Sequence, residues 1–205
     1  MTNAHGRACQ YTADAAIGDA RAAEAAAKTG QGRRARLIVV SGPAGSGKTT
    51  LAHTLARRIG CPAVCRDEIK EGMVHAAGPD FAAAPGDPLT MRTLPTFFGV
   101  LRLLLEAGVT TVAEAAFQDR LWRPNLEPLR ELADVRVVQC VAPEAVTRAR
   151  RARRGAEQPT RRAHADAADV PAVFHRLALD VPSLTVDTAE GYAPTLEEIA
   201  VFVDR

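Results

Sequence analysis

From Arg36 onward the hydrophobic positions follow two rhythms. Short, nearly continuous apolar runs rich in β-branched residues occur at Leu37–Ser41, Ala63–Cys65, Thr110–Glu114, Val135–Val141 and Ser183–Val186. Between them lie longer stretches with helical character, near Lys48–Ile59, Leu89–Ala107, Arg123–Leu132, Glu144–Arg154 and Leu196–Val203. Apolar strands that alternate with helices are the pattern of βαβ units, because each crossover helix covers a face of a parallel sheet. The pattern predicts an α/β domain in three layers, with a five-stranded parallel sheet flanked by helices. No internal repeat is visible.

The preceding residues, 1–34, read differently. Ala13 to Lys28 has good helix propensity but few large apolar side chains, so it has little to bury. An Ala-rich, flexible N-terminal extension is expected for 1–34 and a folded domain for 35–205. Composition adds few constraints: 47% of the 205 residues are hydrophobic and 24% charged, which excludes wholesale disorder. The net charge of +2 supplies no global field for nucleic acid or membrane. Cys9, Cys61, Cys65 and Cys140 lack zinc-knuckle or thioredoxin-like spacing. They read as free thiols in a reducing cytoplasm, and neither a secretory signal nor a membrane span is expected.

The chemistry begins where the first strand ends. Gly42, Pro43, Ala44, Gly45, Ser46, Gly47, Lys48 and Thr49 match G-x-x-x-x-G-K-[ST] between an apolar run and an amphipathic segment that opens with Thr50. Successive backbone N–H groups can wrap a polyphosphate only where no Cβ blocks them, and Gly42, Gly45 and Gly47 remove that block. The following helix points its positive end at the phosphates. Lys48 is then expected at the β and γ phosphates, and the Thr49 hydroxyl at Mg²⁺. The fold expected is that of the P-loop NTPases, with ATP as the nucleotide. The chain lacks the Asn-Lys-x-Asp of GTPases and the paired acids of a large oligomeric ATPase, which favours a small phosphotransferase.

After the second strand comes Arg66-Asp-Glu-Ile-Lys70. Strand carboxyl ends form the ligand crevice of a doubly wound sheet, so Asp67 is expected near the γ-phosphate, where a carboxylate can accept the proton of an attacking hydroxyl. Helix N-capping is the bland alternative for Asp67, and Glu68 is the fallback base. Lys70 is a candidate for holding a phosphate or the acceptor. Glu114, at the end of the third strand, is a candidate for Mg²⁺ and for orienting the acceptor.

The glycine loop followed by Arg-Asp-Glu-Ile-Lys resembles the small P-loop kinases, a group that includes the kinase domain of bacteriophage polynucleotide kinase, chloramphenicol phosphotransferase and the zeta toxins. The resemblance spans Arg36 to Arg205. It implies that Asp67 is the general base and that Lys70 stands in place of a phosphate-contacting Arg. It also implies an Asp where this chain has Glu114.

Five arginines fall within Arg148–Arg154, with Arg150 and Arg154 one helical turn apart. The resemblance implies an arginine-bearing lid over about 148–166, in which Arg150 and Arg154 match the Arg-x-x-x-Arg spacing and stabilise charge in transfer. A solvated basic face and a nucleic-acid contact are the alternatives. Residues 71–107 are expected to build the acceptor pocket, with Phe97, Leu101, Leu104 and Leu105 in the core and Trp122 as packing. Adenine is expected near Asp187 and Thr188. The expected function is an ATP- and Mg²⁺-dependent kinase acting on a hydroxyl of a small molecule; a polynucleotide 5′-hydroxyl kinase and a nucleotide-dependent switch protein are the alternatives.

Overall fold

The computed structural model describes residues 34–78, 80–84, 87–157 and 174–205. The extension expected over 1–34 and the lid continuation expected beyond residue 157 therefore lie almost wholly outside the described residues. Strands β1 (Arg36–Ser41), β2 (Ala63–Cys65), β3 (Thr111–Glu114), β4 (Asp134–Val141) and β5 (Ser183–Asp187) form one sheet. Its order is β2-β3-β1-β4-β5, with every neighbouring pair parallel. The helices are α1 (Lys48–Ile59), α2 (Arg66–Ala77), α3 (Pro88–Glu106), α4 (Asp119–Leu126), α5 (Glu144–Glu157) and α6 (Leu196–Asp204), with a 3₁₀ turn at Glu127–Glu131.

The central strand shows why the layers form. Leu37, Ile38, Val39 and Val40 are all fully buried, and successive strand residues face opposite sides of the sheet. Leu37 and Val39 join Phe97 and Leu101 of α3, Phe117 and Trp122 in one core. Ile38 and Val40 join Leu51 and Leu55 of α1 and Ile199 of α6 in the other. Phe97 is the hub of the first core, with ring centroids 6.0 Å from those of both Phe117 and Trp122. Truncating Phe97 to Ala would cost about 3–5 kcal/mol.

Two elements depart from the expected pattern. Helix α2 follows β2 without a loop, and Lys70 is its one buried residue, so no apolar stripe announces it. The helix expected at Arg123–Leu132 instead begins at Asp119 and tightens into the 3₁₀ turn from Glu127. Pro128 has no N–H to continue the α-helical ladder, which accounts for the change. The earlier start places Trp122 against Phe117 at 4.7 Å.

Sheet register sets the crevice. Glu114 pairs with Val40 of β1 on one side and Cys65 of β2 on the other. The ends of three strands thus meet beside the glycine loop, where the order of connections reverses.

Candidate functional site

The loop after β1 turns through three glycines with φ of +154°, +84° and +76° at Gly42, Gly45 and Gly47. A Cβ on Gly42 would lie 2.5 Å from Ser46 Oγ and 2.7 Å from the Cys140 carbonyl oxygen. One on Gly45 would strike the Thr147 carbonyl at the start of α5. Only glycine lets the loop pass this close to β4 and α5. Gly47 caps α1 without a side-chain hydrogen bond, and the first turn of α1 carries no acidic residue. The first N–H groups of a twelve-residue helix thus face outward, with their partial positive charge left for an anion.

Lys48, the first residue of α1, is buried with Nζ 3.6 Å from Glu114 Oε1. The other oxygen, Glu114 Oε2, is buried and has no hydrogen-bond partner among the described residues. Burial pushes the Glu114 carboxyl above the usual carboxylate range. Lys48 opposes that shift and the negative Asp67 adds to it, while the Thr49 hydroxyl and the Cys65 thiol also face the carboxyl. The end of β3 thus brings Lys48, Thr49, Asp67 and Glu114 into one electrostatic neighbourhood.

Asp67 is half-exposed in the first turn of α2 and accepts from Arg66 at 3.0 Å. Cys65, not Asp67, is the N-cap of α2, and it makes no capping side-chain bond. Glu68 turns away toward His53 of α1 at 2.6 Å. Lys70 is buried and donates to Asp87 Oδ2 at 3.0 Å, so its ammonium is engaged across the α2–α3 corner.

Above the glycine loop lies a cavity of ≈ 310 Å³, lined by Gly45, Lys48, Thr49, Thr50, Arg150, Arg154 and residues of the loop after β5. Thr188 in that loop donates to the Ser46 carbonyl at 2.6 Å. Arg150 donates to the carbonyls of Thr188 and Ala189 at 2.7 and 3.0 Å. The base of α5, the β5 loop and the glycine loop are therefore tied together around this cavity. On the far side of the glycine loop a second cavity of ≈ 430 Å³ is lined by Pro43, Ala44, Ala116, Gln118, Arg151 and Phe174, among others. Helical spacing splits the arginine run between the two: Arg150, Arg153 and Arg154 face the first, Arg151 the second.

The family described as AAA domain (AAA_33) matches residues 37–177, from the start of β1 past α5. The chain belongs to that family. This AAA domain has a P-loop kinase fold, as its solved structural neighbours show. A candidate kinase from Chloroflexus aurantiacus superposes with a TM-score of 0.72 at 24% identity, covering 84% of this chain and 98% of the other. A sugar kinase from a Janibacter species gives 0.58 at 22% identity over 83% and 95%. The APS kinase of Mycobacterium tuberculosis, solved with AMPPNP and APS, gives 0.60 at 14% identity over 85% and 100%. No curated protein matches the chain.

Several lining residues of this AAA domain escaped the sequence reading. Gly191 and Tyr192 border the first cavity, and Gln118 and Phe174 the second. They sit outside any motif; Gly191, Tyr192 and Gln118 have position after a strand end as their only signal, and Phe174, ahead of β5, has none. The described lining of the second cavity includes nothing from residues 71–107, where an acceptor pocket was expected. That segment supplies Phe97, Leu101 and Leu105 to the core, with Leu104 half-buried.

Proposed function

We propose that this protein is an ATP- and Mg²⁺-dependent kinase that transfers the γ-phosphoryl group to a hydroxyl of a small molecule. The observation that carries this reading is the capless, acid-free N-terminus of α1. It opens with the glycine loop into a cavity that also holds Lys48, Thr49 and Arg154. Such a cradle suits a triphosphate.

In this reading the loop amides of Ala44, Gly45 and Gly47 and the first turn of α1, Lys48 to Thr50, bind the phosphate tail, since Pro43 has no N–H and that of Ser46 is donated to the Pro43 carbonyl. Lys48 neutralises charge on the transferring group. Adenine lies between Arg150 and Tyr192, beside Thr188. The Thr49 hydroxyl and the orphaned Glu114 oxygen are the donor set that would hold Mg²⁺, a hard cation that takes oxygen ligands. Bound there, the ion would offset charge on the β and γ phosphates. The acceptor occupies the second cavity, whose Ala116 follows Glu114 by two residues.

The acceptor oxygen attacks the γ-phosphorus, its proton passes to the Asp67 carboxylate, and ADP leaves. Arg154 faces the developing charge. Lys70 belongs to the scaffold, because its ammonium is already matched by Asp87.

The test is ADP release over a panel of hydroxylated metabolites, antibiotics and a 5′-hydroxyl oligonucleotide. A small molecule should stimulate release, and Asp67→Asn should reduce the stimulated rate by about 10²–10⁴-fold. Full acceptor-dependent turnover in Asp67→Asn, with loss in Lys48→Ala, would remove Asp67 as base. Stimulation by the oligonucleotide alone would move the acceptor to nucleic acid.

A further inference from the structure

At the carboxyl end of β2, among residues that do not line the cavity above the glycine loop, three side chains of metal-ligating type converge. His53 Nε2 of α1 lies 2.6 Å from Glu68 Oε1 of α2 and 3.6 Å from Cys65 Sγ at the end of β2. All three ligand atoms fall within 4.8 Å of one another. The two helices and the strand are fixed by the sheet core, so the cluster comes from the fold and not from a flexible loop.

We propose that His53, Cys65 and Glu68 form a binding site for a thiophilic divalent cation of the zinc class. One thiolate, one imidazole and one carboxylate are the mixed donor set that borderline-soft ions take, and Mg²⁺ does not. Bonds of about 2.0 Å to nitrogen and oxygen and about 2.3 Å to sulfur place tetrahedral ligands roughly 3.3–3.6 Å apart. The His53–Cys65 separation of 3.6 Å already meets that spacing. The His53–Glu68 contact must open by less than about 1 Å. Glu68 is half-exposed, so a rotamer change suffices. Water completes the fourth position.

Binding forms a metal–sulfur bond and releases the Cys65 proton to solvent, while His53 binds as neutral imidazole and Glu68 as carboxylate. The cysteine is buried whereas both partners reach the surface, which gives the ion an approach from outside. Because the Cys65 thiol also faces Glu114, this site adjoins the carboxylate proposed above for Mg²⁺.

The experiment is titration of the full chain, stripped with chelator, by Co²⁺ in excess Mg²⁺. A single equivalent should bind with thiolate-to-cobalt charge-transfer absorption, and Zn²⁺ should bleach it. Cys65→Ser should abolish the band. His53→Ala and Glu68→Gln, at surface positions that the fold tolerates, should each weaken binding at least about tenfold. Cys61→Ser should change nothing. Absence of the band, its survival in Cys65→Ser, or wild-type affinity in both surface variants would overturn the proposal. The surface pair decides the matter even if Cys65→Ser does not fold.

Discussion

Two buried lysine–carboxylate pairs lie in adjacent regions of the domain, and their environments are opposite. Lys70 and Asp87, at the α2–α3 corner, are 3.0 Å apart, and Asp87 also accepts from the Thr90 N–H and hydroxyl at 2.8 and 2.7 Å. Lys48 and Glu114, under the glycine loop, are 3.6 Å apart, and Glu114 Oε2 is an orphan among the described residues. The first pair is saturated and the second is left open. A saturated pair is architecture, since each charge is already matched where it stands. In the function proposed above, the open pair beside the glycine loop is a receptacle, because a buried unsatisfied oxygen costs about 1–3 kcal/mol that a ligand can recover.

The widest way to break this contrast is to remove each lysine. Lys70→Met leaves Asp87 buried without its cation and should cost about 3–5 kcal/mol, lowering Tm by roughly 10 °C. The double variant Lys70→Met/Asp87→Asn keeps the cap on α3 and should recover most of that loss. Calorimetry of the three proteins checks it, and an unchanged Tm in Lys70→Met would return Lys70 to the list of ligand groups.

Lys48→Met should behave the other way. Burial already pushes the Glu114 carboxyl upward, so without Lys48 it takes a proton and leaves no bare charge. Stability should change by less than about 1 kcal/mol, while turnover falls about 10²–10³-fold. Parallel melting curves and ADP-release rates separate the two effects. A Tm loss in Lys48→Met as large as that in Lys70→Met would erase the distinction.

Acid titration sharpens the same comparison at a smaller scale. Burial acts to raise the Asp87 carboxyl, but bonds from Thr90 and Lys70 outweigh it and hold it at about 2, against 3.8 unperturbed. Because the folded value is the lower one, its stabilisation is complete above about pH 4 and disappears as pH falls toward about 2. Asp87→Asn should therefore be less stable than the parent by on the order of 2 kcal/mol near neutrality. The gap should close between about pH 4 and pH 2 in urea unfolding. Glu114 carries the opposite sign: its folded value is raised above 4.5, so its contribution weakens as pH rises through that folded value. A gap for Asp87→Asn that stays constant across the acid range would mean that Asp87 acts through helix geometry alone.

The same contrast shows what a sequence carries. The glycine loop was legible because its chemistry is local: eight consecutive residues hold the turn, the lysine and the hydroxyl. The central strands β1, β3 and β4 were legible because they are buried on both faces and read as nearly continuous apolar runs. Lys70 was not, since its partner Asp87 lies 17 residues away across a helix corner, a distance that no spacing encodes. Helix α2 was hidden for a related reason: with Lys70 alone buried, it has no hydrophobic stripe to read. The loop after β5 was expected beside the glycine loop from strand order, and it lines the cavity there, yet Tyr192 could not be singled out. Its cavity exists only once β5 and α5 stand on either side of the glycine loop.

Arg150 supplies the finest test of whether a charge is spent or available. The resemblance to the small P-loop kinases, through the Arg-x-x-x-Arg spacing, groups it with Arg154 as a stabiliser of the transferring phosphoryl group. In the fold its Nη2 donates to two carbonyls of the β5 loop, and its Nη1 lies 3.4 Å from Thr188 Oγ1. Thr188 in turn donates to Ser46 of the glycine loop. A guanidinium committed in this way fixes the shape of the cavity above the glycine loop before any ligand enters. Lysine cannot reproduce the planar fork, so Arg150→Lys should raise the KM for ATP about tenfold, near 1.4 kcal/mol, with kcat nearly unchanged. Arg154→Lys should lower kcat instead, since its contribution is to the charge that develops during transfer. Steady-state kinetics on the two variants distinguishes them: a fall in kcat for Arg150→Lys equal to that for Arg154→Lys would place both arginines on the phosphates, and the latch between α5 and the β5 loop would then have to loosen whenever nucleotide binds.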